Sequence, residues 1–314
     1  MTRLRDHPDD LAALVSRASD QLRLPLADVE KDFWVTELLR SVSRPIDGGV
    51  CIFKGGTSLS KAYSIIERFS EDVDILVAPS ENASTGARDR LLKAVAERAV
   101  GDLGLSGRLV TSTTGVKRNV TYEYPATYPD PGRLSAGVLL EMGIRGGPEP
   151  HETRTIESYV AIAARADGIS PTEFDEFAPA SVLTLRPERT LVEKLGLLHD
   201  RASRLADDPD GLAGQGRHVY DVYRLLQAQT VRDAISHTGV VEALATDAEE
   251  HSRRHGFSAS PRPSGGFAAS PVWADGEMRA KLDSAYATAR GLIWGTVPTL
   301  EECVASVLDA HDRL

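Results

Sequence analysis

Two aspartates, Asp72 and Asp74, stand two residues apart in EDVDILV, residues 71 to 77. On a β-strand that spacing turns both carboxylates to one face and sends Val73 and Ile75 to the other, toward a core. Two carboxylates side by side repel unless a cation separates them. Hard oxygen ligands of this kind suit Mg²⁺ (or Mn²⁺), which shares its coordination shell with substrate phosphates. Upstream lie Gly55 and Gly56, where a backbone without side chains can approach a phosphate closely. The helix expected to follow offers unpaired N–H groups, and Thr57 and Ser58 add hydroxyl donors. Alone, an Asp-x-Asp pair is most often a solvated strand edge or a turn, and a lone Gly-Gly says less. The whole segment KGGTSLSKAYSIIERFSEDVDILV, residues 54 to 77, is more specific, because glycine pair, helix and acidic strand come in succession.

Three further residues attach to this chemistry. Glu141 is the acidic residue of the apolar run VLLEMGIR, residues 138 to 145. Alternation sets it opposite Val138, Leu140, Met142 and Ile144, as a third metal carboxylate or as a glutamate on a solvated strand face. Lys54 could touch phosphate, although a lysine at a strand end is more often solvated. Ser70 precedes Asp72 by two residues and shares its face if the extended geometry starts early. Phosphate on Ser70 would then compete with an incoming triphosphate; the bland alternative is a serine that tightens the turn.

The elements that must position these groups are legible from periodicity. Residues 9 to 22 and 26 to 42 read as bracing helices, the second with an apolar stripe through Leu26, Val29, Phe33 and Leu38. VCIFK, residues 50 to 54, reads as a strand, TSLSKAYSIIERF as a helix with a hydroxyl start, and 86 to 102 as another helix. Runs near 107 to 113, 117 to 124 and 136 to 145 read as strands. After about residue 165 helices dominate, at 187 to 204, 217 to 228, 231 to 254, 275 to 294 and 299 to 312. The expectation is an α+β fold in two domains, a core over 1–165 and a mainly helical domain over 166–314. SASPRPSGGFAASP, residues 258 to 271, reads as a mobile loop.

Composition narrows the function classes. With 36 Lys+Arg against 46 Asp+Glu the chain carries a formal charge of -10, which excludes a general nucleic-acid coat protein. A local basic face remains open in Arg186, Arg189, Lys194, Arg201, Arg204, Arg217 and Arg224, beside the alternative of a salt-bridged helix surface. Cys51 and Cys303 have no paired spacing and read as buried thiols, not a disulfide or a zinc site. No apolar run reaches the ~20 residues that cross a bilayer, and MTRLRDHPDD lacks a secretory h-region, so no membrane partner and a cytoplasmic location are expected.

Four motifs in order, EKDFWVTELL at 30 to 39, the 54 to 77 segment, PERTLVEKLGLLHDRAS at 187 to 203 and GRHVYDVYRLL at 216 to 226, resemble the AbiEii/AbiGii toxin family, which includes the MenT toxins. The 54 to 77 segment also resembles the DNA-polymerase-β-like nucleotidyltransferase pattern. Its fifteen residues between Gly56 and Asp72 are slightly more than the commonest form has, which leaves the turn Arg68-Phe69-Ser70-Glu71 to be explained. The resemblance implies a bilobed, metal-dependent nucleotidyltransferase whose helical domain closes the active site. It implies Asp72, Lys194 and Asp221 as catalytic residues, and NTP, the 3′ end of tRNA or another RNA, and a cognate antitoxin as partners of a protein that is monomeric when free. Physically, Lys194 sits among Leu191, Val192, Leu195 and Leu198, where a charge needs an anion. A triphosphate would serve. So would Asp221 in an interhelical salt bridge, and both can hold. Two rivals stay open: transfer to a protein or small-molecule hydroxyl, and a binding module that keeps the fold without the activity.

Overall fold

The computed structural model describes residues 2–128, 130, 132 and 134–314. In chain order the elements are helices α1 (Pro8–Leu22) and α2 (Leu26–Val42), strand β1 (Gly49–Lys54), α3 (Gly55–Lys61), β2 (Val73–Pro79), α4 (Thr85–Leu103), β3 (Ser106–Thr113), β4 (Lys117–Glu123), β5 (Val138–Gly143), β6 (His151–Ile156), α5 (Tyr159–Ala166) and β7 (Ala180–Leu185). Then come α6 (Pro187–Ser203), α7 (Gly216–Gln227), α8 (Gln229–Ala234), α9 (Val240–Arg254), α10 (Glu277–Arg290) and α11 (Leu300–Asp309). The architecture is α+β, as the alternation of periods indicates.

The chain divides into two compact units that interleave in sequence: the first gathers Met1–Ala62, Glu71–Ile144 and His151–Thr184, the second Tyr63–Ser70, Arg145–Pro150 and Leu185–Leu314. This differs from a single cut at 165, because β7 belongs with the sheet while Tyr63–Ser70 and Arg145–Pro150 belong with the second unit.

In the first unit a seven-stranded mixed sheet runs β3-β4-β5-β2-β1-β7-β6 among the described residues. Its centre is built from β1 antiparallel to β2 and β2 parallel to β5, with β4 antiparallel to β5. Val73, Ile75, Val120 and Leu140 are buried, on the alternating positions that leave Asp74 and Glu141 to the other face. Helix α2 is buried on nearly all sides, charged positions included. Such a helix must supply every buried charge with a partner. Strand β6, HETRTI, escaped the sequence reading because it is an edge strand with only Ile156 buried, so it lacks an apolar alternation.

Three expectations change. The helix after the glycine pair ends at Lys61 instead of running to residue 69, because Tyr63–Ser70 leaves the first unit; Ser64 takes a left-handed φ of 53°. In the second unit this segment pairs with the stretch after α10: the Phe69 N–H donates to Leu292 O at 2.9 Å and the Trp294 N–H to Glu67 O at 3.0 Å. The expected helix 231 to 254 is two, α8 and α9, broken before Gly239 at φ 83°. The stretch expected to be a mobile loop is tied down. The Ser260 N–H and Oγ–H donate to Asp200 Oδ1 at 2.8 and 3.0 Å, Arg262 N–H to Glu249 at 3.0 Å, and the Arg262 guanidinium to Leu314 O at 2.8 Å. Cys51 and Cys303 are buried free thiols, and burial pushes them up to about 11 and about 12.

Candidate functional site

Strand register assembles the acidic groups. Lys54 of β1 pairs with Asp74 of β2, Asp74 pairs with Glu141 of β5, and Glu141 pairs with Asn119 of β4. Paired residues present their side chains on one sheet face, so Lys54, Asp74, Glu141 and Asn119 form a transverse row over four adjacent strands. Asp72 lies immediately before β2 and not on it, one residue short of the sequence expectation. The Asn119 Nδ2–H donates to Glu141 Oε1 at 2.5 Å. Glu141 thus faces the carboxylate side, as the alternation over 138 to 145 predicted, while Val138, Leu140 and Met142 are buried.

Gly55 serves this row in a way the sequence did not disclose. Its φ is 77°, in the left-handed region, and a Cβ there would stand 2.0 Å from Asp74 Oδ2. Glycine is required both by backbone conformation and because the Asp74 carboxylate occupies the space. The hydroxyls of the glycine-loop segment are directed elsewhere than expected. Thr57 Oγ1 donates to Asp72 O at 2.5 Å and Ser58 Oγ donates to Gly55 O at 2.9 Å. A hydroxyl has a single proton to give, so in this conformation they tie α3 to the chain at Asp72 and to itself instead of offering donors to phosphate.

The EKD triplet of α2 braces the same place. Lys31, 1% exposed, binds Glu71 and donates to Ser135 O at 2.7 Å, while Glu71 also accepts from Ser135 N at 2.8 Å and Ser135 Oγ at 3.0 Å. Glu71, the residue immediately before Asp72, is thereby tied to α2. Glu30 accepts from the Thr127 and Tyr128 N–H groups at 2.7 and 3.1 Å. Asp32 receives Lys61 Nζ at 2.5 Å and the Tyr159 N–H at 2.7 Å, which fixes the C-terminal end of α3 and the start of α5.

Among the described residues no group of three or more His, Cys, Asp or Glu side chains is disposed to hold a metal ion. The donor set nevertheless fits a hard divalent cation of the kind that takes one or two protein carboxylates and completes its shell with phosphate oxygens and water. Asp74 and Glu141 are register neighbours, Asp72 stands two residues before Asp74 in sequence, and the buried Asn119 Oδ1 has no hydrogen-bond partner.

In the second unit Lys194 and Asp221 meet. Asp221 is fully buried and receives Lys194 Nζ at 2.7 Å on Oδ2, together with both sides of the Arg68 guanidinium, Nε on Oδ1 and Nη2 on Oδ2, each at 2.7 Å. Burial by itself would raise the Asp221 carboxyl, but the charges of Lys194 and Arg68 reverse this and hold it well below the usual carboxylate range. His218, on which the sequence supported no assignment, accepts from Lys194 Nζ through Nδ1 at 3.1 Å. Burial, and then the neighbouring Lys194 charge, keeps this imidazole neutral far below its ordinary value. Arg224 binds Glu67 at 2.6 Å, and Tyr220 OH accepts from the Glu67 N–H at 3.1 Å. The polar stripe of α7 thus grips Glu67 and Arg68, which accounts for the extra length between Gly56 and Asp72. Ser70 belongs to this excursion and precedes the first residue of β2 by three positions, so the strand-face placement expected for it does not occur. His199 is internal to the unit, its Nδ1 3.0 Å from Ser270 Oγ.

The basic stretch is not a bare positive face. Arg186 pairs with Glu188, Arg189 with Asp247, Arg201 with Asp208, Arg204 with Asp200 and Arg224 with Glu67. Arg189 is fully buried.

Comparison with known proteins shows the family. Residues 37–291 match the family described as "Nucleotidyl transferase AbiEii toxin, Type IV TA system". The chain belongs to this family and is a nucleotidyltransferase toxin of a type IV toxin–antitoxin system. In fold it is similar to MenT4, the nucleotidyltransferase toxin Rv2826c from Mycobacterium tuberculosis H37Rv, with a TM-score of 0.60 at 17% identity over 96% of this chain and 90% of that one. Among curated proteins none matches the sequence. No helix among the described residues is long and apolar enough to cross a membrane.

Proposed function

We propose that this chain transfers a nucleoside monophosphate from an NTP to a hydroxyl at the 3′ end of tRNA, blocking translation until a cognate antitoxin relieves it. The observation that carries this reading is the pairing of Asp74 with Glu141 beside a glycine whose missing Cβ makes room for the Asp74 carboxylate. In the reaction the acceptor oxygen forms a bond to the α-phosphorus as the bond to the departing pyrophosphate breaks, and the hydroxyl proton passes to water.

Asp72, Asp74 and Glu141 would hold Mg²⁺ or Mn²⁺. When bound, the cation supplies charge stabilisation at the phosphate oxygens. Lys54, Gly55 and Gly56 line the approach to the acidic row and would face the triphosphate. Lys194 would neutralise phosphate charge, with Asp221 and the neutral His218 keeping its ammonium charged and oriented. The protein is monomeric when free on this reading.

The test incubates the protein with each of four α-labelled NTPs, total RNA and total cell protein, followed by separation of the fractions. Label in tRNA that resists removal by 3′ dephosphorylation, absent with Asp72→Ala, supports the reading. Label in the protein or small-molecule fraction overturns the acceptor assignment, and no label with any NTP overturns the transfer itself.

A further inference from the structure

Asn119 stands in the row of acidic residues yet is only 3% exposed, and neither the family match nor the spacing of motifs singles it out. It is the register partner of Glu141, on the strand flanking β5, and its Nδ2–H donates to Glu141 Oε1 at 2.5 Å. The orientation of the amide follows from this contact, because two acceptor oxygens facing each other would repel. The other amide atom, Oδ1, is then a buried acceptor without a hydrogen-bond partner, while Asn119's neighbours in β4, Val120 and Tyr122, are ordinary core residues packed on the opposite face.

A sealed, unpartnered amide oxygen beside carboxylates is poorly stabilised in the cation-free protein and well suited to a cation, since it adds a ligand without adding a negative charge that would repel Asp74 and Glu141. The acidic side chains by themselves do not complete a three-ligand group among the described residues. A carboxylate together with an asparagine amide is an established way to hold Mg²⁺ in phosphoryl transfer.

We propose that Asn119 is a ligating residue of the divalent-cation site, its amide nitrogen fixing the Glu141 carboxylate and its amide oxygen serving as a neutral oxygen ligand. This rests on the reading of Asp72, Asp74 and Glu141 as the metal carboxylates. It places part of the site on β4, a strand that carries no acidic motif.

The experiment measures Mn²⁺ binding by electron paramagnetic resonance, with and without a non-hydrolysable NTP, together with melting of the cation-free and Mn²⁺-loaded protein. It uses wild type, Asn119→Leu, Asn119→Asp and Asp74→Asn. Asn119→Leu should melt at or above the wild-type temperature without cation, because the orphaned acceptor is gone, and should bind Mn²⁺ about 10- to 100-fold more weakly. Asn119→Asp should melt lower without cation, through repulsion from Glu141, and show a larger Mn²⁺-induced rise than wild type. Wild-type Mn²⁺ affinity in both Asn119 variants, with binding lost in Asp74→Asn, overturns the role of Asn119 and leaves the carboxylate site standing. Unchanged Mn²⁺ binding in Asp74→Asn overturns the carboxylate site itself. Should Asn119→Leu fail to fold, the sign of the Asn119→Asp melting response decides alone.

Discussion

The carboxylate of Asp74 fills the space that a side chain at Gly55 would need: a Cβ there would meet Oδ2 at 2.0 Å and Cγ at 2.8 Å. Gly55→Ala must displace the acid and also force a φ of 77° on an L-residue, a strain of roughly 1–2 kcal/mol. Transfer should fall by more than about 100-fold, equivalent to ~2.7 kcal/mol in the barrier. The melting temperature should drop by only a few degrees. Full activity in Gly55→Ala would show that the Asp74 position is not critical.

Asp72→Ala and Asp74→Asn should each reduce turnover by at least about 100-fold while melting at or above wild type, since removing one of two neighbouring like charges relieves repulsion. Parallel melting and turnover measurements check this. Retention of activity within about tenfold would remove the residue from the metal site.

Asp221 gives the second unit a pH signature. Its folded value lies below the ordinary 3.8, so it contributes stability that is present above 3.8 and lost as pH falls through the folded value. Wild type should lose melting temperature steeply below about pH 4. Asp221→Asn leaves Lys194 and Arg68 buried without their anion and should cost about 3–5 kcal/mol at neutral pH. The gap between the two proteins should narrow on acidification. A constant gap from pH 7 to pH 3 would contradict the assignment.

Lys31 and Glu71 offer a separation of fold from function. Lys31→Met should be strongly destabilising, because Glu71 is left with an uncompensated charge, whereas Lys31→Met combined with Glu71→Leu should recover most of the stability. If the pair positions Asp72, the double variant folds but keeps a lowered kcat at near-normal KM for the NTP. A folded double variant with wild-type kcat would limit the pair to packing.

The surface pair Arg201–Asp208 can exchange carboxylate for phosphate at little cost, since such pairs are weak, and Arg204, itself exposed, can do the same while Asp200 keeps its bonds from Ser260. Replacing both arginines by glutamine should reduce the slope of log affinity for tRNA against log salt by about one to two units. An unchanged slope puts the RNA on another surface.

Features with local signatures were legible in the chain. Asp72, Asp74 and Glu141 as candidates, the face of Glu141 and the long helices α1, α2, α4, α6 and α7 follow from spacing and period, because each is set within one strand or one helix, whereas the family followed from the resemblance of four motifs in order. The Lys194–Asp221 contact was among the alternatives that helical spacing allowed. Tertiary structure alone decided what depends on pairing between distant segments. The register that brings Asn119 of β4 beside Glu141, the space Asp74 takes from Gly55, and the excursion of Tyr63–Ser70 that delivers Arg68 to Asp221 join residues 22, 19 and 153 positions apart. Separations of that size leave no periodic trace in the chain, and strand register and ion-pair geometry select among them only once the sheet and the helical unit have formed.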